Sequence, residues 1–177
     1  MTQICWGAKV SPEFLDKVLA ISEGFGWTTL QASHLMACMA FESGETFSPS
    51  IKNAAGSGAT GLIQFMPRTA VGLGTTVDEL AKMTAVQQLD YVQKYFRPYA
   101  ARVKTLSDMY MAILMPKYVG KPEASVLFSG GIAYRQNSGL DVNKDGMITK
   151  QEASSLVQAR FLKGMRAGNA VTLHCPA

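Results

Sequence analysis

Residues 28–42, TTLQASHLMACMAFE, constrain the fold of this chain more than any other stretch. Thr28 and Gln31 fit a capping box, in which two side chains satisfy the free backbone N–H groups of a helix start. The run Leu35-Met36-Ala37-Cys38-Met39-Ala40-Phe41 is apolar throughout, so the helix belongs in a core. It nevertheless ends on a carboxylate. Leu35, Cys38, Met39 and Glu42 fall at i, i+3, i+4 and i+7, so Glu42 prolongs the core-facing stripe. Ser43-Gly44 reads as the helix stop. Partial desolvation and the negative end of the helix dipole both oppose ionisation there, so the carboxyl is expected to keep its proton towards neutral pH. A general acid for glycosidic cleavage needs that property. An ordinary exposed Glu at a frayed helix end is the competing reading of the helix alone.

The remaining pattern predicts a mainly α protein without convincing period-two strands. SPEFLDKVLAISEGFG opens with Ser11 as N-cap and Pro12 at the first helical position, and its glycines at 24 and 26 end it. Residues 43–60 are rich in Ser, Gly, Asn and Pro and read as a long loop, a feature more often functional than idle. GLIQFMPRTAVGLG gives a short helix with flanking turns. TVDELAKM, TAVQQLDYVQKYFRPYAARV (disturbed near Pro98) and TLSDMYMAILMPKYVG give three more. After Gly130-Gly131 a loop feeds a terminal helix. With no repeat, linker or low-complexity tract, residues 1–177 are expected to form a single domain and a monomer.

Composition narrows the function classes. Hydrophobic residues make up 47% of the 177, enough for a real core, yet no run approaches the length of a membrane span. Net charge is +4, with Lys and Arg dispersed and no zinc-finger or basic-zipper spacing, so nucleic acid is unsupported and an anionic polymer suits the charge. The stretch MTQICWGAKV lacks the layout of a signal peptide, which predicts synthesis in the cytoplasm and delivery by some other route. Cys38 reads as a buried hydrophobe, and Cys5 and Cys175, near the two ends, are a candidate disulfide.

Glu42-Ser43, a Ser/Gly/Asn loop and then SGATGLIQFMPRTA at 57–70 resemble the soluble lytic transglycosylases and goose-type lysozymes. The resemblance extends from about residue 28 to 165, through QLDYVQKYF and MAILMPKYVGKP, and comes nearest to lysozyme-like domains of phage lysins and type VI secretion effectors. It implies a single-domain lysozyme-like fold and a muramidase acting on bacterial peptidoglycan, with Glu42 as catalytic acid/base. By the same resemblance Gly61, Leu62, Gln64, Met66, Pro67, Thr69 and Ala70 build the cleft wall, Ser43 steadies the Glu carboxyl, and Gln64 binds saccharide or orients Glu42. Phe65 and Tyr110 stack on sugar faces. The family's later Tyr-Asn motif has no verbatim copy: Tyr110 in DMYMAILMP and Tyr134 in AYRQNSG are both candidates, with Tyr110 preferred by order and spacing. Delivery by holin or secretion machinery to the wall, and an immunity partner, belong to the same expectation.

Hydrolases of this kind usually carry a second carboxylate, about 5–9.5 Å from the first. Residues 42–70 offer only Glu45, and no Asp occurs between Asp16 and Asp78. Glu45 is therefore the candidate second catalytic group. Without one, a single carboxyl protonates the leaving oxygen and then takes the proton of the sugar's own 6-hydroxyl, giving a 1,6-anhydro product. Both routes stand.

DVNKDGMITKQE, residues 141–152, fills the twelve positions of an EF-hand loop. Asp141, Asn143 and Asp145 stand at 1, 3 and 5, Gly146 at the sharp turn, the Met147 carbonyl at 7, Thr149 at 9 and Glu152 at 12. This predicts Ca2+, tying the terminal helix to the domain, with a polar turn that binds no metal as the alternative. A different class of function combines these features otherwise: a calcium-stabilised, non-catalytic wall-binding or assembly module.

Overall fold

The computed structural model describes residues 2–173, and the fold is mainly helical. Its axis is α2 (Thr29–Glu42), whose residues 32 to 40 are all buried. The Thr28–Gln31 capping box starts this helix as expected. Around it pack α1 (Pro12–Gly24), α6 (Leu106–Leu114) and α8 (Lys150–Gly164), with α5 (Ala85–Phe96) lying on α1. Two short helices, α3 (Pro67–Gly72) and α4 (Val77–Lys82), bridge α2 and α5 in the chain. The helix disturbed at Pro98 stops at Phe96, and a 3-10 turn at Ala100–Arg102 resumes the coil. Buried residues from Ile4 to Val157 form one hydrophobic cluster.

Two small antiparallel sheets, missing from the sequence pattern, tie distant segments together. β1 (Thr2–Ile4) pairs with β4 (Val171–Leu173), Ile4 opposite Val171. This clasp is sealed by the helix beneath it. Trp6 donates its backbone N–H to Gly164 O and its indole N–H to Arg160 O, while the Cys5 thiol donates to Phe161 O. Gly164 is required here, because a Cβ would collide with the Cys5 sulfur and the Trp6 indole. Cys5 is buried, with burial pushing its thiol pKa up to about 12; the disulfide expected with Cys175 lies outside the described residues.

The second sheet joins β2 (Val126–Ser129) to β3 (Met147–Thr149), pairing Phe128 with Ile148. Between these strands lie α7 (Gly131–Asn137) and a 3-10 turn at Ser138–Leu140. A short helix therefore precedes the EF-hand-like loop where only a loop was expected, entered through Gly130 and Gly131, both at positive φ. Below the loop runs a buried ion pair. Lys150, 1% exposed, donates to Asp108 Oδ1 at 2.5 Å and to Lys121 O at 2.8 Å.

Candidate functional site

The end of α2 is built as a glycine cap. Gly44 takes φ 60°, and Glu45 N–H reaches back to Ala40 O at 2.7 Å, the bond that closes a Schellman turn. Ser43 is fully buried, and its hydroxyl accepts the Phe47 N–H at 2.9 Å. Its bond is to the turn, and it makes none to the Glu42 carboxyl. Phe47, also left-handed, packs edge-on against Phe14 with centroids 5.9 Å apart. The helix therefore stops abruptly after Glu42 in a capped end.

Glu42 is half-buried, and burial pushes its pKa from 4.5 up to about 7. Desolvation accounts for the rise; the helix terminus is not needed to explain it. Tyr95 on α5 and Tyr110 on α6 feel the same carboxyl: burial raises both phenol pKa values and the Glu42 charge raises them further. Tyr110 stands edge-on to Phe41 at 5.6 Å, and the Tyr95 hydroxyl is fixed by donating to Ala112 O at 2.6 Å. Two grooves lead to these phenols. One, lined by Gln64, Phe65, Met66, Thr69 and Ile113, reaches Tyr95. The other, lined by Leu114, Gln136, Asn137, Leu140 and Leu156, reaches Tyr110. A roomier cavity of about 420 Å³ between the start of α6 and α8 is lined by Thr105, Ser107, Gln151 and Gln158, with Glu123 as its single carboxylate.

The Gly-Leu-x-Gln segment, the expected cleft wall, lies beside the groove that reaches Tyr95. Gly61 has φ 85°, and a Cβ there would strike the Gln88 amide. Gln88 is fully buried: it accepts the Leu62 N–H and donates to Pro49 O and Leu80 O, locking the wall to α5. Gln64 donates its amide to Ile51 O and Gly61 O, so it braces the 51–65 loop and leaves only its carbonyl oxygen towards a ligand. Phe65 is 2% exposed and edge-on to Tyr95, a support under the groove with no open face for a sugar. Sequence reasoning missed Tyr95 and Gln88. The signal for Gln88 was present: it occupies a core position of the stripe Gln88, Leu89, Val92, Phe96, where an amide must find partners.

Glu45 lies three residues past Glu42, beyond the left-handed turn, and is addressed to a different element. Its carboxylate accepts from Arg160 and from Lys163 of α8, the latter at 2.7 and 2.8 Å to its two oxygens. Tyr134 is likewise engaged elsewhere: its hydroxyl donates to Asp141 Oδ2 at 2.6 Å, in the EF-hand-like loop.

In that loop Asp141 is 7% exposed; Oδ2 also accepts the Gly146 N–H, whereas Oδ1 is buried without a partner. Gly146 takes φ 85° at the turn, and Ile148 is fully buried as the anchor. Asn143 Oδ1 accepts from Asp145 N, Asp145 Oδ1 from Met147 N, and Glu152 from Thr149 N and Oγ1. Among the described residues, no three acidic, His or Cys side chains are gathered around one centre. No protein-family model matches the chain, and no curated protein matches it significantly.

Proposed function

We propose that the protein is a lysozyme-like muramidase that cleaves the MurNAc–GlcNAc β-1,4 bond of peptidoglycan, with Glu42 as its acid/base. The observation that carries this reading is a half-buried carboxyl at the end of a buried helix, pushed by burial to a pKa of about 7, whose charge reaches Tyr95 and Tyr110. A carboxylic acid of that pKa is half protonated near neutrality, so it can donate to the leaving glycosidic oxygen and then act as a base. The C–O bond breaks as the proton arrives, and the sugar passes through an oxocarbenium-like state. Glu45 is held by two cations, which supports the one-carboxylate route: Glu42 then takes the proton of the 6-hydroxyl as that oxygen closes on the anomeric carbon. The 1,6-anhydro end and the released hydroxyl end together conserve the atoms of the substrate.

The residues at 141–152 fit a hard cation. Every side-chain donor is an oxygen, Gly146 makes the turn, and the buried Oδ1 of Asp141, without a protein partner, is open to a cation. Asp141, Asn143, Asp145, the Met147 carbonyl and Glu152, with Thr149 at the ninth position, would hold Ca2+. The ion would supply charge neutralisation that fixes the loop, and Glu42 needs nothing from it chemically. Wall material as substrate and delivery by holin or secretion machinery complete the reading.

The test is Glu42→Gln, which keeps shape and removes the titrating proton. Clearing of cell-wall suspensions should fall by about 10²–10⁴-fold. Undiminished clearing by that variant would reject the mechanism. Mass spectrometry of the wild-type digest should show anhydro ends, one water lighter than reducing ends.

A further inference from the structure

We infer that Glu45 is a positioning residue: clasped by Arg160 and Lys163 of α8, it holds the turn that ends α2 directly after Glu42 and so fixes where that carboxyl stands. This rests on Glu42 being the acid.

The turn is costly to keep. Gly44, Glu45 and Phe47 have φ 60°, 67° and 50°, and the last two carry a Cβ in the left-handed region. Such residues persist only where their surroundings over-determine them. Here three independent ties do so: the Glu45 N–H to Ala40 O, the Phe47 N–H to Ser43 Oγ, and the Glu45 carboxylate to α8. The third reaches furthest along the chain, joining residue 45 to residues 160 and 163, beside the packing of Phe47 on Trp6 and Phe14.

Its anchor is stiff. The carbonyls of Arg160, Phe161 and Gly164 accept from Trp6 and Cys5, and the Lys163 ammonium stands 5.8 Å from the Trp6 ring. Glu45 is only about a quarter exposed, so the pair works at lower dielectric than a surface bridge. A carboxylate has roughly four acceptor positions, and three are filled from α8. Little remains with which to activate a water. Glu42 and Glu45 thus divide the labour, one half-buried at the end of α2 and the other tied to α8.

The test is a cycle of variants: Glu45→Gln, Arg160→Gln with Lys163→Gln, and all three together. Each arm should lower kcat by about 10- to 100-fold with KM unchanged, the loss expected when a reacting group is displaced slightly. The combined variant should be no worse than either arm, and the limb of the pH–rate profile set by Glu42 should move in all three. Exchanging the charges, Glu45→Arg with Arg160→Glu and Lys163→Glu, should restore most of the rate. A loss in Glu45→Gln as deep as in Glu42→Gln, with the Arg160/Lys163 variant unharmed, would make Glu45 catalytic and overturn the proposal. So would full activity in Glu45→Gln. Hydrogen exchange gives a readout free of turnover: the Glu45 amide should exchange faster in each arm, and unchanged exchange would overturn the clasp. If Glu42→Gln clears walls normally, the muramidase reading fails, and the exchange data still decide whether the clasp holds the turn.

Discussion

Glu42 and His34 lie two turns apart on α2 and respond to folding in opposite senses. Burial raises Glu42 from 4.5 to about 7, so the folded state binds the extra proton between those values. Stability is then lost as pH rises through that window, by about 3 kcal/mol in full. Burial lowers His34 from 6.5 to about 4, so stability is lost as pH falls through that window, by a similar amount. The two slopes oppose each other between about pH 4.5 and 6.5 and should leave the stability curve nearly flat there. Glu42→Gln should therefore stabilise the protein by about 2–3 kcal/mol at pH 8 and hardly at all at pH 4.5, read by urea unfolding at both. A gain independent of pH would contradict the burial of the acid. His34→Phe should remove the acid-side loss, since His34 is edge-on to Phe161 at 5.4 Å and its Nδ1 has no partner. Glu42 itself was legible because a stripe and a motif agreed on it. The partners of Ser43, Gln64 and Phe65 were not, because a motif fixes residue types while the turn geometry decides which atoms meet.

Helix starts recur in one form. Thr28, Thr76, Thr84, Thr105 and Thr149 each close a capping box with Gln31, Glu79, Gln87, Asp108 and Glu152. Such caps contribute about 1 kcal/mol each, and all five were written in the sequence as Thr followed three residues later by an acid or amide. Only the first was used to place a helix; the others mark the starts of α4, α5, α6 and α8. The strands could not be found this way. They are three or four residues long and exist only through pairing across the chain, so period-two patterning never develops. The Asp108–Lys150 pair was equally invisible, since it joins the third residue of α6 to the first of α8. Burial would raise the Asp108 pKa, yet Lys150 and the N–H groups of Gly120 and Lys104 outweigh it and hold it below the ordinary value. Removing one partner leaves a buried charge, so Lys150→Met should cost about 3–5 kcal/mol. Combining it with Asp108→Leu should recover much of that loss in thermal unfolding. Additive losses would show that Asp108 is needed for its cap, not for its charge.

At the scale of the molecule, α8 is the member through which the loop at 141–152 meets the candidate site. Its first residue, Lys150, grips α6, the helix of Tyr110; its middle, Ala153 and Val157, is buried, and the helix packs on α2 and α6; its last turns hold Glu45 and Trp6. An ion bound in that loop would therefore act on a helix already fastened at three places. Binding to the folded chain alone stabilises it by RT ln(1 + [L]/Kd), about 2.7 kcal/mol at a hundredfold excess over Kd. For a chain of this length that is about 5–10 °C in Tm. Calcium added to chelator-treated protein should produce this shift, and Asp141→Asn or Glu152→Gln should abolish it. Because the helix is one rigid element, hydrogen exchange should slow along α8 as far as Gly164, and at the Glu45 amide, when calcium is added. Protection confined to residues 141–152 would mean that the loop binds its ion without transmitting anything to Glu42. Identical melting in calcium and chelator would leave the loop as a polar turn that binds no metal.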